Sequence, residues 1–239
     1  MSEQTPRDRD RDRADDRAGE LLLARVSEAA GRARLGRRRA TYRAPLAEPG
    51  LWWAAAGGLR RLLRAGGRTE ASAGASARLD LYEHGLTVAV DGRIHVVRYD
   101  TTVVRRRRVL SPHGLARAHV LVDVDGERIV LRSGDFGHPE LWEPGIRRAV
   151  TEAQVPRALA EGARLAFGPV WMTRDKIGSR GTSLRWAQIQ RIEILNGSVA
   201  VRAAGRWQVW GTVTSGIPNL CVLHALAEHL AVGERDYDD

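Results

Sequence analysis

Two groups of residues in this 239-residue chain have types and spacings that invite chemistry: four consecutive arginines, Arg105 to Arg108, and the triplet Cys221, His224 and Glu228. The triplet falls at i, i+3 and i+7, one side of a helix, and offers a thiol, an imidazole and a carboxylate, all groups that zinc accepts. Three ligands on one helix with no second ligand group nearby in sequence make a poor metal site. His224 and Glu228 read more simply as an i, i+4 surface pair, so neither metal nor cofactor is expected.

The arginines point to binding rather than catalysis. Successive side chains of a strand face opposite ways, and two of the four would enter a core if the strand stayed in its sheet. Burying unpaired guanidiniums is very costly. The strand is therefore expected to run past the sheet there, leaving Arg105, Arg106, Arg107 and Arg108 as an exposed ladder for an anion or an acidic partner, or as a solvated hairpin end. A smaller basic group, Arg174, Lys176 and Arg180, flanks a later hairpin, with Asp175 among it lowering the local potential. The sequence contains no phosphate-cradling loop of the Walker kind, no G-x-G-x-x-G, no H-E-x-x-H and no G-x-S-x-G. A non-enzyme is expected.

Residues 46–77 hold a third candidate. At 100° per residue Leu51, Trp52, Ala55, Leu59, Leu62 and Leu63 share one side of a helix, with Arg60, Arg61 and Arg64 opposite. That is the pattern of a basic amphipathic helix lying in a membrane interface, Trp at the headgroup level. The alternatives are a helix that packs on its own domain and a mobile insertion between two strands; in the membrane reading the contacts are Leu51, Trp52, Leu59, Arg60, Arg61, Leu63 and Arg64.

Composition bounds the partners. The formal net charge is +9, but Lys176 is the only lysine, so the positive charge is almost all arginine. Residues 1–77 hold 16 basic and 10 acidic residues, net +6, against 22 and 19, net +3, in residues 78–239. A nucleic-acid reader more often carries its basic face on the folded module, so nucleic acid is disfavoured. Cys221 is the only cysteine, which excludes an intramolecular disulfide and suits a reducing compartment. With no secretory signal and no apolar run near the roughly 20 residues that span a bilayer, the expected location is the cytoplasm or the inner membrane face.

The elements that carry these residues are mostly strands. Residues 1–18 alternate Arg with Asp and are expected to be disordered. A helix over 19–36 follows, its stripe Leu22, Val26, Ala29 and Ala33, ended by Gly36. "RRRATYRAP" reads as a first strand. From Arg78, alternation predicts strands at 78–83, 86–90, 93–99, 101–110, 117–124 and 127–132, with hairpin turns at Asp91-Gly92 and Asp125-Gly126. A helical stretch over 139–160 opens at Pro139, disturbed by Pro144 and ended or kinked by Pro156. The pattern then repeats: strands at 163–167, 170–174, 175–179, 182–186, 189–195, 198–203 and 206–213, and a helix from Pro218. Arg98-Tyr99 answers Arg185-Trp186 in the two passes. Trp186 and Trp210 are expected to face inward and Trp207 outward.

This order, with "LGRRRATYRA", "RLDLYEHGL", "FGPVWMTRDKI", "SLRWAQIQRIEILNGSVAVR" and "IPNLCVLHALAEHL", resembles a family of actinobacterial proteins built of pleckstrin-homology-like domains, over roughly residues 20–232. The resemblance implies a mainly β fold with α: two antiparallel, partly open pleckstrin-homology-like β-barrels, each capped by a C-terminal helix, plus the N-terminal helix. It places the first domain at 37–160 with an insertion at 46–77, the second at 161–233, and a disordered tail at 234–239. It brings no catalytic or binding residues. The functional expectation is a non-catalytic binding or scaffold module whose partner is another protein or an anionic membrane surface. A self-assembling protein pairing through sheet edges and nonspecific nucleic-acid binding are the alternatives.

Overall fold

Alternating apolar residues and tight turns give fourteen strands among the described residues, all paired antiparallel. The computed structural model describes residues 6–44, 77–90, 92–111, 114–132, 135–162, 164–213 and 216–235. The first half opens with β1 (Arg38–Arg43), β2 (Arg78–Tyr82), β3 (Gly85–Val90) and β4 (Arg93–Arg98), a four-stranded antiparallel meander in chain order. A three-stranded meander follows, β5 (Arg105–Ser111), β6 (Gly114–Val122) and β7 (Arg128–Arg132). In the second half β8 (Leu165–Phe167), β9 (Val170–Met172), β10 (Lys176–Ser179) and β11 (Thr182–Arg185) form four strands. After a 3-10 turn at Trp186–Gln188 come β12 (Ile189–Leu195), β13 (Ser198–Ala203) and β14 (Arg206–Val213). Helix α1 spans Pro6–Arg32, α2 Pro139–Glu161 and α3 Leu220–Arg235. Each half is thus four strands, three strands and a helix, and among the described residues no strand pairing closes either half into a barrel.

The repetition reaches single hydrogen bonds. Tyr99 follows β4 and donates its N–H to the carbonyl of His84, the residue before β3, at 3.1 Å. Trp186 follows β11 and donates to Asp175, the residue before β10, also at 3.1 Å. Both rings are 1% exposed. One buried aromatic thus closes the four-stranded meander twice, as the Arg98-Tyr99 and Arg185-Trp186 pairs suggested. Trp186 is buried from the 3-10 turn rather than from a strand, while on β14 Trp210 packs half-buried on the core and Trp207 is exposed, as strand alternation requires.

Two helices depart from expectation. Residues 6–18, expected as disordered, are the first half of α1, and the helix ends at Arg32 rather than Gly36. Beyond it Arg34 adopts φ 53° and Gly36 φ 80°, so the left-handed backbone begins two residues before the expected glycine. Val26, Ala30 and Leu35 are buried, and α1 packs on β3 and β4. Helix α2 runs unbroken through Pro144 and Pro156. Each proline forfeits one intrahelical bond, but Trp142, Ile146 and Val150 are buried along one stripe. Burying a large apolar side chain contributes roughly 1.5–3 kcal/mol, so packing carries the helix past both.

One apolar core runs through both halves, from Leu79, Val97 and Leu121 through Trp142 to Met172, Ile177 and Leu223. Asn219, just before α3, locks the junction. Its Oδ1 accepts from the Val104 N–H at 2.6 Å, and its Nδ2 donates to the Thr102 carbonyl at 3.2 Å and to Gln154 Oε1 at 2.8 Å. Gln154 Nε2 in turn donates to the Tyr99 and Thr102 carbonyls at 2.8 and 2.9 Å. The left-handed φ of 47° at Asn219 suits asparagine better than most residues.

Candidate functional site

The arginine run lies on β5, an edge strand of its sheet. Against expectation the strand does not leave the sheet: Arg105, Arg106, Arg107 and Arg108 pair in register with Val120, His119, Ala118 and Arg117 of β6. Even so, Arg105 is only half-buried and the other three are exposed. An edge strand lets long arginine stems carry their charge to solvent from either face, so sheet pairing imposes no buried guanidinium here. Arg106, facing α2, sits 3.7 Å from Glu143. Arg105, Arg107 and Arg108 have no carboxylate partner among the described residues. The register also places Arg108 opposite Arg117, and like charges directly opposite destabilise a sheet.

Arg106 also lines a cleft of about 710 Å³ between α2 and α3. The α2 wall carries Arg147, Arg148 and Glu152, and the α3 wall Leu220, Cys221, His224 and Glu228, with Ile194 of β12 also in the lining. Arg148 is held by Glu152 at 2.7 Å, whereas Arg147 has no carboxylate partner among the described residues. Next to Arg106 on the sheet, His119 is 4% exposed; its Nε2 lies 3.2 Å from Glu143 and its ring meets Trp142 edge-on at 5.9 Å. Burial holds this imidazole below its ordinary range; nearby Arg106 and Arg147 push the same way, and Glu143 opposes them. His119, opposite Arg106 in register, thus has its charged form disfavoured.

The other candidates separate. The expected membrane contacts Leu51, Trp52, Leu59, Arg60, Arg61, Leu63 and Arg64 lie outside the described residues. Lys176 stands 5.7 Å from the Trp171 ring, on which Arg164 stacks at 4.2 Å, and Arg180 occupies a turn at φ 55°. Cys221, His224 and Glu228 share the cleft wall, but the described group whose ligand atoms lie close enough for an ion is His95, Asp123 and Glu127. There Asp123 Oδ1 already accepts the N–H groups of Asp125 at 3.0 Å and Glu127 at 2.7 Å, and Oδ2 contacts His95 Nδ1 at 2.9 Å. That carboxylate organises the β6–β7 turn. Sequence reasoning missed His119, Glu143 and Arg147, which come together only when α2 lies across β5 and β6. A helical Glu143-Arg147 pair at i, i+4 was the one available signal.

Among the described residues no helix is long and apolar enough to cross a membrane. A family of unknown function (DUF6585) matches residues 74–236, more than half of the chain, so the chain belongs to that family. No curated protein matches it.

Proposed function

We propose that this member of a family of unknown function is a non-catalytic binding module that holds an acidic partner protein on the arginine strand of its first half, while the second half braces it. The reading takes the halves as pleckstrin-homology-like, partly open barrels. What supports it is the twofold order of four strands, three strands and a capping helix. Such a fold hosts many ligands, so function rests on the site.

One observation carries the proposal. Four successive arginines stand on an edge strand, three of them without a carboxylate partner. Surface charges that merely solubilise a protein tend to be interspersed in sign, whereas here one sign is concentrated on one edge.

The test is fluorescence anisotropy of labelled poly-glutamate with the full chain and with Arg105→Glu/Arg107→Glu/Arg108→Glu, across a salt series, alongside co-sedimentation with anionic vesicles. The expected result is low-salt binding that weakens with salt and falls at least tenfold in the variant. Equal binding by variant and parent, or none by the parent at low salt, overturns the proposal. Vesicle binding that is indifferent to the variant and unaccompanied by poly-glutamate binding would favour membrane attachment through residues 46–77.

A further inference from the structure

The main chain of β5 indicates how such a partner attaches. Alternate residues of a strand send their N–H and C=O to the same side. Val104, just before β5, sends both toward the start of α3. Its N–H donates to Asn219 Oδ1 at 2.6 Å, and its carbonyl accepts the Asn219 N–H at 2.8 Å. The carbonyl of Thr102, two residues earlier, points the same way, to Asn219 Nδ2 at 3.2 Å. Asn219 thus occupies the place of a residue in a neighbouring strand.

Continued along β5, this phase turns the N–H and C=O of Arg106 and Arg108 to the side away from β6. Among the described residues no main-chain partner meets them and no strand pairs with that edge. Arg106 also lines the cleft, as does Leu220, the residue after Asn219. From Arg106 to Leu110 the edge offers roughly 13 Å at about 3.3 Å per residue, enough for two or three rungs.

We propose that an extended, acidic segment of a partner protein adds as a strand to the open edge of β5, continuing the pairing that Asn219 begins and lying along the cleft beside α2. This rests on the binding-module reading and specifies its mode. Main-chain bonds supply the attachment in strand addition, and side chains select the partner. Arg106, Arg107, Arg108 and Arg147 select for acidic residues. They also select against a second copy of this chain, whose β5 would bring four more arginines to the same edge. Charged edges exclude unwanted pairing in this way.

The probe is a labelled hexapeptide of alternating Glu and Val, compared with its Lys–Val counterpart and with a fully N-methylated Glu–Val peptide that keeps the charge and loses the amide donors. Binding to the full chain is followed by anisotropy at low salt, and amide exchange is measured at Arg106 and Arg108. Expected are binding of the Glu–Val peptide alone, at least tenfold loss on N-methylation, and at least tenfold slower exchange of both amides in the complex. If the N-methylated peptide binds as well as its parent and exchange is unchanged, strand addition is overturned while the acidic-partner reading stands. If the Glu–Val peptide does not bind, or the Lys–Val peptide binds equally, both are overturned. None of these outcomes depends on a variant that must fold.

Discussion

Replacing Asn219 with alanine perturbs the one side chain that ties three segments together. It deletes a hydrogen bond from the Val104 N–H and two donated to Thr102 and Gln154. Each is worth about 1 kcal/mol net, and alanine at φ 47° costs about 1 kcal/mol more than asparagine. The side chain is only partly buried, so water recovers some of this, and the expected loss is about 3 kcal/mol. Asn219→Gly relieves the backbone and should lose about 1 kcal/mol less. The assay is urea unfolding followed by far-UV circular dichroism and by tryptophan fluorescence. Because the core is continuous across the halves, the two probes should coincide in the parent protein. In Asn219→Ala the midpoint should fall, and the probes should separate if the halves then unfold independently. A loss below about 0.5 kcal/mol would refute the reasoning, since it would mean that water replaces all three bonds.

Two further predictions concern buried charge. Asp80 is fully buried and grips Arg78 through two bonds at 2.6 and 2.9 Å, with a third bond donated by the Thr41 hydroxyl. Asp80→Ala leaves a buried guanidinium unpaired and should cost about 3–5 kcal/mol, whereas Arg78→Met/Asp80→Leu should recover most of it; thermal unfolding of the three proteins distinguishes them. His119 is held neutral by burial, so the unfolded chain takes up a proton as pH falls through about 6.5 while the folded chain resists. Stability should therefore be full above that pH and decline below it. His119→Gln should flatten the profile of Tm against pH between 8 and 5.5, and an unchanged slope would count against the assignment.

Much of the fold was legible in the sequence because its determinants are local. Period-two alternation located the strands, and Asn196-Gly197, at φ 51° and 76°, marks its hairpin because both residues tolerate left-handed backbone. Tyr99 and Trp186, paired from the sequence, occupy matching hydrogen-bonding positions after β4 and β11. The start of α1 was not legible, since packing against other elements decides how far a helix runs.

The candidate site divides in the same way. The sequence by itself determined that four arginines would sit on a strand, and that they could not be buried unpaired. Only the tertiary structure decided that β5 lies at the edge of its sheet, that α2 brings Glu143 and Arg147 to His119 and Arg106, and that Asn219, 115 residues after Val104 in the chain, takes up its main-chain bonds. Strand order and edge position are properties of how distant segments pair, and a local pattern of polar and apolar residues is the same for a central strand as for the edge strand that leaves one row of hydrogen-bonding groups open.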